Sequence, residues 1–200
     1  SVVNGAWTTI TAQCEFYITQ LAFTVRYVYD VSMSAIVILG HSGSGKTTVG
    51  KWVANYLDMP CIDTDDKVLK HLGQTSIQSV WDEEGEASWQ EAEAEIIPGL
   101  LKEGNVVILG GATSMPASVK DAMANMPMII NCVADETTTL ARIAKCEDHL
   151  VRDLDEVQVR SERVKEYGQL ATHELDTNGD FASAIPRIKA LLALNPKTNQ

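Results

Sequence analysis

Basic residues are scarce in this chain: 16 Lys and Arg stand against 27 Asp and Glu, leaving a net charge of -11. A field of that sign repels phosphodiester backbones and anionic lipid headgroups, so neither nucleic acid nor a membrane surface is an expected partner. Cysteine is equally sparse. The four present, Cys14, Cys61, Cys132 and Cys146, form no CxxC pair. That argues against a structural zinc site and a disulfide framework, and it fits a reducing, cytoplasmic compartment. The histidines, His41, His71, His149 and His173, are isolated and no HExxH spacing occurs, so histidine ligation of a metal is not indicated. Long apolar runs are missing too: a membrane span needs roughly 18 to 20 such residues, and Arg26 and Asp30 interrupt the one suspicious region. Internal repeats and low-complexity tracts are lacking.

What is there is enough apolar material, 45% of 200 residues, to bury one core of ordinary size. From Ser34 onward short apolar runs alternate with helical ones, the signature of a sheet wrapped by helices, and the class is α/β. Ala35 to Leu39 (AIVIL) reads as a strand buried on both faces and stopped by Gly40. Helix is predicted from Lys46 to Leu57, a short strand from Met59 to Ile62 and a helical stretch from Asp65. A further helix carries Trp89, Ile96, Ile97, Leu100 and Leu101 up to Gly104, with Pro98 as a point of bending. Strands follow at Val106 to Leu109 and Met128 to Val133, and a helix around Leu140 to Ala144. A polar loop at 146–156, a helix at 157–170, a strand at His173 to Asp176 and a closing helix from Phe181 to Leu194 complete the pattern. Residues 1–32 have several aromatics but no basic leader segment, and they read as an extension of unassigned role. Met33 is a candidate natural start, the domain is expected over 33–195, and 196–200 forms a tail.

Gly40-His41-Ser42-Gly43-Ser44-Gly45-Lys46-Thr47 satisfies G-x-x-x-x-G-K-[ST] between a predicted strand and a predicted helix. Such a loop curls so that N–H groups face phosphate oxygens, and the following helix adds the positive end of its dipole. Gly43, Ser44, Gly45, Lys46, Thr47 and Thr48 are therefore expected to hold ATP. Lys46 reaches the β- and γ-phosphates, and Thr47 offers a hydroxyl to the Mg²⁺ that accompanies the nucleotide. A guanine-reading N-K-x-D segment and an LSGGQ-like segment are both absent, which sets GTPases and transport ATPases aside. Asp63 and Asp65 leave the end of the second strand at the sheet edge where ligands bind, and alternation in an extended chain would turn both the same way. The competing reading makes these helix N-cap carboxylates, with Asp65 or Asp66 as the candidate cap. Gly110 and Gly111 end a strand at the same edge, where a substrate could approach the backbone.

Five blocks in this order resemble the shikimate kinase family over about residues 34 to 194: GHSGSGKTT (40–48), CIDTDDKV (61–68), WDEEGEASWQEAE (81–93), VVILGGA (106–112) and R-x-x-x-Y-x-x-x-A (163–171) leading to Leu175-Asp176-Thr177. The resemblance implies a three-layer P-loop kinase fold, with a central parallel sheet between helices, and transfer of the ATP γ-phosphoryl group to a hydroxyl of shikimate. It implies that Asp63 helps hold the Mg²⁺ hydration shell and that Asp65 contacts the acceptor hydroxyl and takes its proton. Gly110 and Gly111 would line the acceptor site, Arg163 would clamp its carboxylate and Arg142 would lie near the nucleotide. A monomer is expected.

Three positions depart from the family pattern. Gln90 stands where the family has a second carboxylate-gripping arginine, a loss typically of about 1.5 to 3 kcal/mol, or roughly ten- to a hundredfold in affinity. Ala112 replaces a third glycine. The lid reads His149-Leu150-Val151, leaving Arg152 or His149 as the nearby groups to stabilise the transferring phosphoryl. Two alternatives follow: a diverged kinase for another small polyol or hydroxy acid, and a nucleotide-binding protein without transfer activity.

Overall fold

The computed structural model describes residues 35–101, 104–110, 115–145 and 156–193, with side chains described from 163 onward in the last segment. The extension 1–32, Gly111, Ala112, the lid with His149 and Arg152, and the tail 196–200 lie outside the described residues.

Strands β1 (Ile36–Leu39), β2 (Cys61–Asp63), β3 (Val106–Ile108), β4 (Ile129–Val133) and β5 (His173–Asp176) form one sheet in the order β2-β3-β1-β4-β5. Every pairing is parallel. A strand buried on both faces suits β-branched residues without alternation, and Ile36, Val37, Ile38 and Leu39 are all at most 1% exposed. Between the strands run α1 (Lys46–Leu57), α2 (Thr64–Leu72), α3 (Ile77–Glu83), α4 (Glu86–Leu100), α5 (Ala117–Met123), α6 (Glu136–Ile143), α7 (Glu156–Leu170) and α8 (Phe181–Ala193).

Successive strand residues point to opposite faces. Val37, Leu39, Val107 and Leu109 meet Ile97 of α4, Val119 and Met123 of α5 and Tyr167 of α7 in the main core. Ile38 and Ile108 instead meet α1 at Gly50. Phe181 of α8 packs edge-on to Trp52 of α1, so α8 joins α1 on that side and the three-layer α/β arrangement stands. A satellite cluster of Val68, Val80, Trp89 and Ala92 ties α2 and α3 to α4.

The sequence reading needs correction at several edges. The second strand is Cys61–Asp63 rather than 59–62, because Met59 and Pro60 still belong to the turn out of α1, where the Met59 amide donates to Ala54 O at 2.9 Å. The helix expected around Leu140 starts one turn earlier, capped by Asp135, whose carboxylate accepts from the Thr138 amide at 2.7 Å. Helices α3 and α5 have no counterpart in the sequence reading. Pro98 sits near the end of α4, and the helix continues through it to Leu100.

Candidate active site

The sheet order places β1 between β3 and β4, and the connections leaving β1 and β3 run to opposite sides of the sheet. Ligands of open α/β sheets bind in the crevice outside such a switch point, at the strands' carboxyl ends. The segment 40–47 sits there. Gly43 and Gly45 take the left-handed region, at φ 76° and 84°, where a side chain is strained. The Ser44 amide donates to His41 O at 3.1 Å and closes the turn. Gly45 is the N-cap of α1 and gives no side-chain cap, and the first turn carries no acidic residue. The first N–H groups of a helix have no partner within it, so the amides entering α1 and the positive end of its dipole are presented to an anion. Helices α2 and α6 spend theirs on the carboxylates of Asp63 and Asp135. Lys46 and Thr47 are half-buried on the first turn of α1, and Thr48 is exposed.

Asp63 and Asp65 are brought to the same place by a different route from the one expected. Asp65 does not lie in extended chain; it is on the first turn of α2, and Asp63 is that helix's N-cap, its Oδ1 accepting from the Asp65 amide at 3.2 Å. The cap is thus Asp63 and not the expected Asp65 or Asp66, which both lie in the first turn, and capping coexists with a position at the sheet edge. Burial pushes the Asp65 carboxyl up to about 6, helped by the negative charge of Asp63, while Lys46 pulls the other way. Asp63 is also raised, mainly by burial; its hydrogen bond from the Asp65 amide and the charges of Lys46 and Lys51 oppose the rise. Both aspartates thus feel the same lysine.

Asp65 is held against β3. The Gly110 amide donates to Thr64 Oγ1 at 2.9 Å, and Thr64 is fully buried. A Cβ on Gly110 would overlap the Asp65 carboxylate, so only glycine leaves that carboxylate where it is. The hydroxyl of Tyr167 approaches Gly110 O at 3.5 Å. Tyr167 is 1% exposed; burial drives its phenol up to about 12, with Arg163 lowering it and Glu166, Glu93 and Asp65 raising it. Arg163, 8% exposed, and Glu93, 4% exposed, therefore flank the same tyrosine. A cavity here is lined by Glu93, Ile97, Leu109, Gly110, Met115 and Pro116. Gln90 is not among its lining residues: its amide donates to Glu86 Oε1 at 3.2 Å, one turn back on α4.

Arg142 reaches the phosphate loop from α6. Its Nη1 donates to Gly43 O at 3.3 Å and its Nη2 to Thr177 O at 2.6 Å and Gly179 O at 3.2 Å. Sequence reasoning missed Thr64, Glu93, Tyr167 and Thr177. All four stand inside the quoted blocks, so the blocks held the signal and the individual roles were invisible.

The donor set suits Mg²⁺. Thr47 and Asp63 offer hydroxyl and carboxylate oxygens, and that ion takes one or two carboxylates together with phosphates and water. Among the described residues no group of three or more His, Cys, Asp or Glu gathers as a self-sufficient metal cage. No helix among them is long and apolar enough to cross a membrane.

The shikimate kinase family model matches residues 42–190. The shikimate kinase of Caldicellulosiruptor bescii is 43% identical over 90 residues, 44% of this chain and 52% of that protein. The chain thus spans about half the length of that relative. The shikimate kinase of Halorhodospira halophila is 29% identical over 161 residues, covering 77% of this chain and 90% of its own length. Among solved structures, a shikimate kinase from Acinetobacter baumannii in complex with shikimate superposes with a TM-score of 0.69 at 20% identity, over 82% of this chain and 93% of that one.

Proposed function

The chain belongs to the shikimate kinase family, and from that premise we propose that it transfers the γ-phosphoryl group of ATP to a hydroxyl of a small molecule, shikimate being the acceptor the family points to. The observation that carries this reading is that Lys46, on a helix whose first amides await an anion, lies within electrostatic reach of the carboxylates of Asp63 and Asp65. Phosphoryl transfer asks a protein chiefly for positioning and for charge stabilisation. Here each part has a residue.

Lys46 and the amides at the start of α1 bind the β- and γ-phosphates. Thr47 and Asp63 would hold Mg²⁺, which neutralises phosphate charge when bound. Asp65 accepts the proton of the acceptor hydroxyl, and its raised affinity for protons, about 6, suits a base working near neutrality. Gly110 and Gly111 bring main chain against the acceptor, and Arg163 pairs with its carboxylate as a planar fork of donors. Gln90, whose amide is turned to Glu86, stands where a second cation would tighten that grip. Arg152 supplies positive charge near the transferred group once the site is occupied. The protein acts as a monomer in the cytoplasm, with ATP and a small hydroxylated carboxylate as its partners.

An ADP-release assay with millimolar shikimate tests this: turnover well above basal ATP hydrolysis is expected. A folded, ATP-binding protein that shows none would exclude shikimate and leave another polyol or hydroxy acid to be found by acceptor screening.

A further inference from the structure

The loop after β5 touches the phosphate loop through Thr177. Thr177 is 6% exposed, and its Oγ1 lies 2.7 Å from Ser44 O and 2.9 Å from Val133 O. A hydroxyl has one proton to give. Val133 O already accepts from the Thr177 amide at 2.9 Å, so the proton belongs to Ser44 O, the nearer acceptor.

In a trans peptide the carbonyl and the N–H that follows it point in opposite directions. Pinning Ser44 O against Thr177 therefore turns the Gly45 N–H away from Thr177. Gly43 O is pinned in the same way by Arg142, whose guanidinium also holds Thr177 O and Gly179 O. Were a Cβ placed on Gly45, its nearest neighbours would be Arg142 Nη1 at 3.5 Å and Thr177 Cβ at 3.9 Å, so both residues lie directly behind the loop. Glycines make this loop pliable, and a pliable loop must be ordered each time it binds phosphate. A tether that orders it beforehand lowers that cost.

We propose that Thr177, together with Arg142, is a positioning residue for the phosphate loop, holding the carbonyls of Ser44 and Gly43 outward so that the Gly45 amide is preset for the nucleotide's phosphates. This rests on the nucleotide-binding reading above and adds to it a structural coupling: the segment 177–179 sets the affinity for phosphate without touching it.

Calorimetric titration of Mg·ADP into wild-type protein, Thr177→Val, Thr177→Ser and Arg142→Lys tests it, alongside thermal unfolding and steady-state kinetics. Valine keeps the shape and removes the proton; its Mg·ADP affinity should fall roughly five- to tenfold. Serine restores the proton and should bind within about twofold of wild type by the same reasoning. The KM for ATP should rise while the KM for the acceptor at saturating ATP stays put, a split that general destabilisation would not produce. Thr177→Val binding Mg·ADP as wild type does, or a loss that serine fails to restore, overturns the proposal. Should the valine variant not fold, Arg142→Lys decides with pyrophosphate as the probe, because the variant keeps the charge and loses the fork while the probe has no nucleoside for Arg142 to touch: weaker pyrophosphate binding supports the tether and unchanged binding overturns it. A folded wild-type protein that binds no Mg·ADP overturns this proposal and the nucleotide-binding reading together, whereas normal wild-type binding with unaltered variants overturns the tether alone.

Discussion

Gly110 and Asp65 fit against each other with no room for a methyl group: a Cβ on Gly110 would overlap Asp65 Oδ1, with Oδ2 at 3.4 Å. The carboxylate assigned as the base is thus located by the absence of a side chain on Gly110, two residues past the end of β3. Gly110→Ala should push that carboxylate out of line and lower kcat roughly 10- to 100-fold, since small misplacements of a reacting group are costly. Mg·ADP affinity should change less than twofold, as the phosphate loop is untouched. Stopped-flow or steady-state kinetics beside calorimetry checks the split.

The proton affinity of Asp65 makes two pH-dependent quantities move in opposite senses. Its carboxyl titrates near 6 in the folded chain against an ordinary 3.8, so folding takes up a proton between those values. The destabilisation this causes is absent below about pH 4, grows between pH 4 and 6 and is complete above that. Asp65→Asn should therefore stabilise the unliganded protein at pH 7.5 by about 1 to 3 kcal/mol and lose that advantage at pH 4. Denaturant unfolding at the two pH values measures it.

Activity should follow the deprotonated base. With Asp65 as the acceptor's base, kcat/KM rises with pH through an apparent value near 6 and flattens above it. Lys46 holds that value down, so in Lys46→Met the residual activity should be at least 100-fold lower, as expected when an electrostatic donor to the transferring group is lost, and its pH midpoint should move upward. A downward shift would contradict the placement of Lys46 beside Asp65.

These relationships were legible in the sequence to different depths. The five strands and the phosphate loop were readable because their signals are local: an unbroken β-branched run, glycines at fixed spacing, a lysine and a hydroxyl. Helices α3 and α5 were not. Each spans seven residues, too short for a periodic stripe to stand out, and each is stabilised from outside, α3 by Val80 in the cluster around Trp89 and α5 by Val119 and Met123 in the main core. The aspartates were found by position, but their geometry was misjudged, because Asp63 ends the strand by capping a helix rather than continuing it. Contacts made across large sequence separations left no local trace. Thr177 reaches Ser44 from 133 residues away and Gly110 reaches Thr64 from 46, and only the folded sheet brings those pairs together.

Arg163 and Gln90 make separable predictions about the acceptor. Arg163→Gln should raise the KM for shikimate roughly 10- to 100-fold by removing a charge-assisted pair, while leaving the KM for ATP unchanged. Gln90→Arg places a second cation on α4, beside the helix turn that carries buried Glu93, and should lower the KM for shikimate about tenfold.

Shikimate titrated calorimetrically into the Mg·ADP-bound protein tests the central claim most directly, since it asks whether an acceptor pocket stands beside an occupied phosphate loop. The account predicts one-to-one binding that Arg163→Gln weakens roughly 10- to 100-fold and Gln90→Arg tightens. Absence of binding heat across a range of temperatures, in a folded protein shown to hold Mg·ADP, would contradict it.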